Sequence, residues 1–262
     1  MSAPAANNQR PNQAPQRSGG SERPKPRGPV AAVVALALAF LASVVTSVFL
    51  GTVLEIIGMY ALWPIEGVAH AKSHVAEDLA YIQQFPRSVL VADTVGFAQN
   101  MALWARWPLD KLAVPQLIAR AAAVDPNVSS DPKSGKNAIF KLMRRGYIEL
   151  IRWVDVFYHV LQDTAIRLSV ALFAMPAFFL AMMVGLVDGL MKRDLRKWCG
   201  GRESSFVYHH AKQFAGWSLT GGFALYLAWP FRGFNPTYMV LVFTVLVAAT
   251  FSLTVSSFKK YL

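Results

Sequence analysis

The sequence predicts an all-α polytopic membrane protein with four transmembrane helices and a small helical exported segment. Three observations lead there. The 262 residues are 54% hydrophobic and only 16% charged, where an ordinary soluble domain carries about 25% charged residues. Four long stretches contain no charge at all, and an apolar run of about 20 residues is what a helix needs to cross a bilayer. No alternating β-branched run of the kind that marks a half-buried strand is present.

Residues 1–29 form the first element. They hold Arg10, Arg17, Arg23, Lys25 and Arg27 against Glu22, a net of +4, among Pro, Asn, Gln, Ser and Gly. Such a segment buries too little apolar surface to order itself, so a disordered basic tail is expected. Residues 30–54 follow, with the core AAVVALALAFLASVVTSVFLGTVL. At 1.5 Å per residue this core is about 36 Å long, enough for a hydrocarbon layer of about 30 Å. The run exceeds the short apolar region of a cleaved signal peptide. The small-x-small sequence Ala69-His70-Ala71 lies far downstream, so an uncleaved signal anchor is expected.

Residues 55–167 are the only sizeable soluble portion, and they read as helical. Val75–Gln84 is a short amphipathic candidate. Arg87–Trp107 places Val91, Val95, Ala98, Ala102 and Ala105 at helical spacing. Trp107-Pro108 should break that helix, because a residue before proline is pushed out of the α region. Leu109–Val124 is the next helix, and DPNVSSDPKSG (125–135) is a loop by composition. A long helix from Asn137, with Ile139, Leu142, Ile148, Ile151, Val154 and Tyr158 on its apolar side, should run into the second span. Trp63, Trp104, Trp107 and Trp153 suit a membrane–water interface or ordinary packing.

Residues 168–187 form the second span, in which Pro176 removes a backbone hydrogen bond and favours a kink. Residues 188–212 are a loop of six basic and three acidic residues. Residues 213–231 are a third run, weaker because it is richer in Gly and polar residues. Residues 233–258 are the fourth, and 259–262 carry Lys259 and Lys260. Basic residues collect on the cytoplasmic side of a membrane. The tail is +4, the loop +3, and segment 55–167 only +1, with twelve basic and eleven acidic residues. One arrangement follows: both chain ends and loop 188–212 in the cytoplasm, and 55–167 outside. The overall charge of +11 is then mainly a topology signal. Anionic lipid is its natural counterpart, and direct nucleic-acid binding is not expected.

The single cysteine, Cys199, excludes an internal disulfide framework and a cysteine-cluster metal site. Ser134-Gly135-Lys136-Asn137 lacks the first Gly and the final Ser/Thr of a phosphate-binding loop. His70, His74 and Glu77 would share a helix face able to bind Zn²⁺, but the blander reading is an exposed polar face near the membrane. His209 and His210 near Cys199 point in different directions on a helix. Ser204 and Ser205 lack the G-x-S-x-G elbow of a hydrolase. Glu55 and Asp188 sit at span ends, so no acid lies at membrane depth to mark a transporter or channel. No catalytic, cofactor or metal residue is assigned on this basis. A membrane hydrolase or metal-dependent enzyme, or a small channel or permease, stay as alternatives.

Two features concern assembly. Ala177, Ala181, Gly185 and Gly189 repeat every four residues, as do Ala31, Ala35, Ala39, Ser43, Ser47 and Gly51. Small residues at this spacing let helix backbones approach closely, within one chain or in a homo-oligomer. The loop is the most distinctive part of the chain: DGLMKRDLRKW from Asp188, then Cys199-Gly200-Gly201, then RESSFVYHHAK to Lys212. Asp188, Arg193, Asp194, Arg196, Lys197, Arg202, Glu203, His209 and Lys212 give it mixed charge about a glycine turn. That suits oriented contact with a protein partner, or self-pairing at span ends.

This loop resembles the signature loop of the DUF4400 family, the integrating conjugative element membrane proteins. The layout of basic tail, one span, exported segment and three spans is similar too. The resemblance implies a bacterial inner-membrane component of a conjugation apparatus of type IV secretion type. It also implies a periplasmic location for 55–167 and the coupling ATPase and other conjugation membrane proteins as partners. The family supplies no catalytic residues and no cofactor, so the expected role is a non-enzymatic scaffold.

Overall fold

The computed structural model describes residues 29–123, 136–199, 220–233 and 235–257. Among them every regular element is a helix: α1 (Pro29–Ala61), α2 (Val68–Gln83), α3 (Thr94–Lys111), α4 (Val114–Ala122), α5 (Lys136–Phe173), α6 (Met175–Trp198), α7 (220–227) and α8 (Pro236–Ser256). The chain divides into two compact units, Met1–Ala39 and Phe40–Leu262. In the first, the described residues form the opening turns of α1. The remaining helices belong to the second.

Within the second unit, α5 is the post on which the helices of segment 55–167 are assembled. Ile166, fully buried, meets Ile82 of α2 and Ala98 and Ala102 of α3. One turn or more away, Val156 and Val160 meet Met59 of α1. The small alanines let α3 lie close to α5, and the aliphatic chains fill what remains. The start of α3 is set by Asp93, whose carboxylate accepts from the Gly96 N–H at 2.9 Å. This satisfies a donor the first turn would leave orphaned. The helix therefore begins seven residues later than the apolar spacing suggests. It also continues one turn past Trp107-Pro108, closed by the Leu112 N–H on the Pro108 carbonyl at 3.2 Å. The actual break is Ala113, held at a left-handed φ of 58°, after which Pro115 opens α4.

The long helix expected from Asn137 does run into the second apolar run. Only Ala174 separates α5 from α6, and Pro176 opens the new helix. The turn between them stays bonded, Phe178 N–H to Ala174 carbonyl at 3.1 Å. Residues 168–173 thus belong to α5, and the apolar helix begins at Met175 rather than at 168.

Among the described residues, three helices are long and apolar enough to cross a membrane: Ala37–Ala61 within α1, α6, and α8. Their large side chains face outward, as lipid allows and water does not: Phe49 is 70% exposed, Val184 65% and Val245 62%. The expected count of four is corrected by this measure. The third apolar run, 213–231, is described only from residue 220, and its helix covers 220–227. Trp229-Pro230 ends it, since the residue before proline is disfavoured in the α region. The expectation that acids stay at span ends also gives way. α1 extends two turns past Leu54 and carries Glu55 within its apolar stretch, and α6 carries Asp188.

The pair α6–α8 is parallel. A Cβ on Gly185 would collide with the Ala248 carbonyl, and one on Gly189 would lie 2.8 Å from the Ser252 carbonyl. Both partners advance by four residues in the same direction. Phe173 and Ala174 beside Pro236 and Val240 place the two N-terminal ends together. The chain therefore leaves α6 at Cys199, at one end of the pair, and enters α8 at Asn235, at the other.

Candidate functional site

Where α1, α2, α5 and the end of α7 meet, the described part of the chain buries its charge. The first cluster is Glu55 with His70 and His74. The two histidines are one turn apart and share a face of α2. The helix starts after Gly67, whose φ of 54° and ψ of −128° suit glycine and strain other residues. His70 Nδ1 lies 3.2 Å from both Glu55 carboxylate oxygens, and His74 Nε2 lies 3.6 Å from Oε1. His74 Nε2 also faces the Pro230 carbonyl at 3.0 Å. The Trp63 ring stacks on His70 with centroids 3.8 Å apart. Gly58 makes room for it: a Cβ there would sit inside the indole. Thus α1 supplies both the carboxylate and the gap that lets the tryptophan press the imidazole over it.

Burial lowers the His70 pKa, with Arg232 adding to the effect. Burial, with Arg167 and His70 behind it, pushes His74 down to about 4. Both imidazoles are therefore neutral near neutral pH, with lone pairs available.

The second cluster centres on Arg167 of α5, which is 5% exposed. Its Nε donates to Asp78 Oδ2 at 2.7 Å, and its Nη2 pairs with Asp163 Oδ2 at 3.0 Å. Its Nη1 donates to the Trp229 carbonyl at 2.6 Å and the Tyr226 carbonyl at 3.3 Å. Burial opposes the guanidinium charge, but Asp163 and Asp78 outweigh it and hold the pKa above its ordinary value. Asp163 is pushed upward, first by burial and then by the neighbouring Asp78, against the pull of Arg167. Arg232 completes the junction, pairing with Glu66 at 3.1 Å and meeting the Ser73 hydroxyl. One fork of donors thus joins α2 to α5 and ties the chain after α7 to both.

The sequence reading placed none of this. His70 and His74, expected on an exposed polar face, are both buried. Their acidic companion is Glu55, fifteen residues upstream, and Glu77 stands outside the cluster. Asp78, Asp163 and Arg167 were not singled out. The nearest signal in the sequence was the i, i+4 spacing of Asp163 and Arg167 and of the two histidines.

The docking residues expected in the loop are described only in part. Asp188 is taken up inside the chain: it pairs with Lys192 at 2.6 Å and accepts from the Ser252 hydroxyl of α8. Asp194 pairs with Lys197 at 3.4 Å along the same helix. Arg193 and Arg196 lie half-buried on α6. Arg202, Glu203, His209 and Lys212 lie outside the described residues, as do Ser204, Ser205 and His210. Cys199 is free and exposed. Of the small-residue row, Ala181, Gly185 and Gly189 are buried and Ala177 half-buried, the two glycines lying on the α8 backbone.

Against known proteins, a family model described as "IncC plasmid conjugative DNA transfer protein DtrJ-like" matches residues 62–259. No curated protein and no solved structure matches this chain.

Proposed function

The chain belongs to the DtrJ-like family of conjugative DNA transfer proteins, and from that premise we propose that it is a non-enzymatic scaffold in the inner membrane. It serves a conjugation apparatus of type IV secretion type and assembles there with the coupling ATPase. The observation that carries the reading is the extent of the match, which takes in the helical segment, α6, the basic loop and α8 together. Three long apolar helices support membrane residence.

The parallel α6–α8 pair supports a specific topology. Two parallel spans open and close on opposite faces of the membrane, so this reading puts Cys199 and Asn235 on opposite sides. Loop 188–212 then lies on the cytoplasmic side with the tail, as the positive-inside rule asks. The junction around Arg167 lies outside, in the periplasm.

Because Asp188 and Lys192 satisfy each other and Ser252, docking falls to Arg193, Arg196 and the residues beyond Cys199. The test is genetic and biochemical. Deleting the gene lowers DNA transfer, and the plain chain restores it. Detergent extracts of the complemented cells yield the coupling ATPase with the tagged chain. The double variant Arg193→Glu, Arg196→Glu reaches the membrane in normal amount but loses the ATPase and lowers transfer at least tenfold. Recovery of the ATPase in full with that variant sinks the docking assignment, and normal transfer without the gene sinks the role.

A further inference from the structure

We propose that Glu55, His70 and His74 form a binding site for a divalent transition-metal ion of the zinc class, which staples α1 to α2. Two imidazoles and a carboxylate are the donor set such an ion takes, and its bonds to them are about 2.0–2.2 Å. A tetrahedron with those bonds has edges of roughly 3.3–3.5 Å. The carboxylate-to-imidazole separations here are 3.2 and 3.6 Å, and no pair of donor atoms in the trio is more than 4.8 Å apart. The donors are thus gathered at close to ligand spacing, before any ion pulls them together.

The charge around them points the same way. Arg167 is committed to Asp78 and Asp163, and Arg232 to Glu66. Among the described residues, Glu55 has only the two imidazoles within ion-pair distance. A carboxylate that is 4% exposed and faces neutral rings favours a cation between them. Without an ion, His74 Nε2–H donates to the Pro230 carbonyl. Binding moves that proton to Nδ1 of His74, and the proton that His70 Nδ1 donates to the Glu55 carboxylate to His70 Nε2, so that His74 Nε2 and His70 Nδ1 turn their lone pairs to the metal. The Pro230 oxygen, 3.0 Å from Nε2, then stands at edge distance and offers the fourth donor. Trp63 closes the site over His70 and fixes its ring.

The experiment uses the full chain purified in detergent. Elemental analysis of protein from cells grown in zinc is expected to give one zinc per chain. Glu55→Gln, His70→Ala and His74→Ala each lose it, and His159→Ala, a histidine outside the trio, keeps it. The wild-type chain, stripped with a chelator and shown by circular dichroism to stay helical, is then titrated with Co²⁺. Visible ligand-field bands of tetrahedral intensity, saturating at one equivalent and removed by Zn²⁺, are expected. This arm needs no variant, so a misfolded alanine mutant does not decide the matter. Helical apo-protein that takes up no Co²⁺, or zinc content unchanged in all three variants, overturns the proposal and leaves a hydrogen-bonded cluster only.

Discussion

Arg167 and Asp163 differ sharply in what their removal leaves behind. Arg167→Leu strands two buried carboxylates and the carbonyls of Tyr226 and Trp229. Breaking a buried charge network from one side costs about 3–5 kcal/mol, so unfolding in detergent should shift by that much, and membrane levels should fall. Asp163→Asn removes the titrating group while Asp78 still pairs with Arg167. Its effect depends on pH with a definite sign. The folded-state pKa of Asp163 is raised from the ordinary 3.8, so the folded chain keeps a proton that the unfolded chain loses above that value. The associated stability is complete below 3.8 and is lost as pH rises through the raised pKa. Wild type should therefore lose stability relative to the Asn variant as pH rises above about 4. A constant difference across that range would show that Asp163 ionises normally. The sequence could not reveal this network. Asp78 and Arg167 are 89 residues apart, and each alone reads as a solvated charge. Glu55 was legible as an acid at the edge of an apolar run, but not as the partner of two histidines on another helix.

The helices themselves were largely legible, and their errors have local causes. Apolar periodicity locates α5 and α8 within a few residues but says nothing of caps. Asp93 therefore moved the start of α3, and the left-handed Ala113 moved the start of α4. The small-residue row was legible as a close-packing face, but a sequence does not say which helix it meets. It meets α8, and this gives a paired test. Gly185→Ala places a methyl group against the Ala248 backbone, and Gly189→Ala against that of Ser252. Backbone cannot swing aside as a flexible side chain can, and overpacking costs about 1–3 kcal/mol. Gly146, in the interior of α5, has nothing within 4 Å of an added Cβ. Gly146→Ala should stabilise by about 0.5–1 kcal/mol, because alanine loses less backbone entropy in a helix. Thermal unfolding of the three variants in one detergent should rank Gly146→Ala above wild type and the other two below. Equal effects at all three positions would mean that α6 and α8 do not touch at this seam.

At the scale of the whole molecule, the number of membrane crossings turns on direction rather than on hydropathy. Among the described residues three helices are long and apolar enough to span, and three crossings alone would put the chain ends on opposite sides. Yet α6 and α8 run in the same direction, and the chain after α7 is held at the start of α8. Arg167 binds the carbonyls of 226 and 229, His74 that of Pro230, and Arg232 reaches Glu66 and Ser73. The proposed topology therefore puts Cys199 and Arg232 on opposite faces of the membrane, and the single native cysteine makes this measurable. In intact spheroplasts a membrane-impermeant maleimide should leave Cys199 unlabelled, and inverted vesicles should label it. In a Cys199→Ser background, Asn235→Cys should give the reverse pattern, since Asn235 lies at the far end of the pair and outside the charge junction. Labelling of both positions from the same side would refute their placement on opposite faces. The basic loop would then share a compartment with the Arg167 junction, and a cytoplasmic ATPase could not reach one without the other.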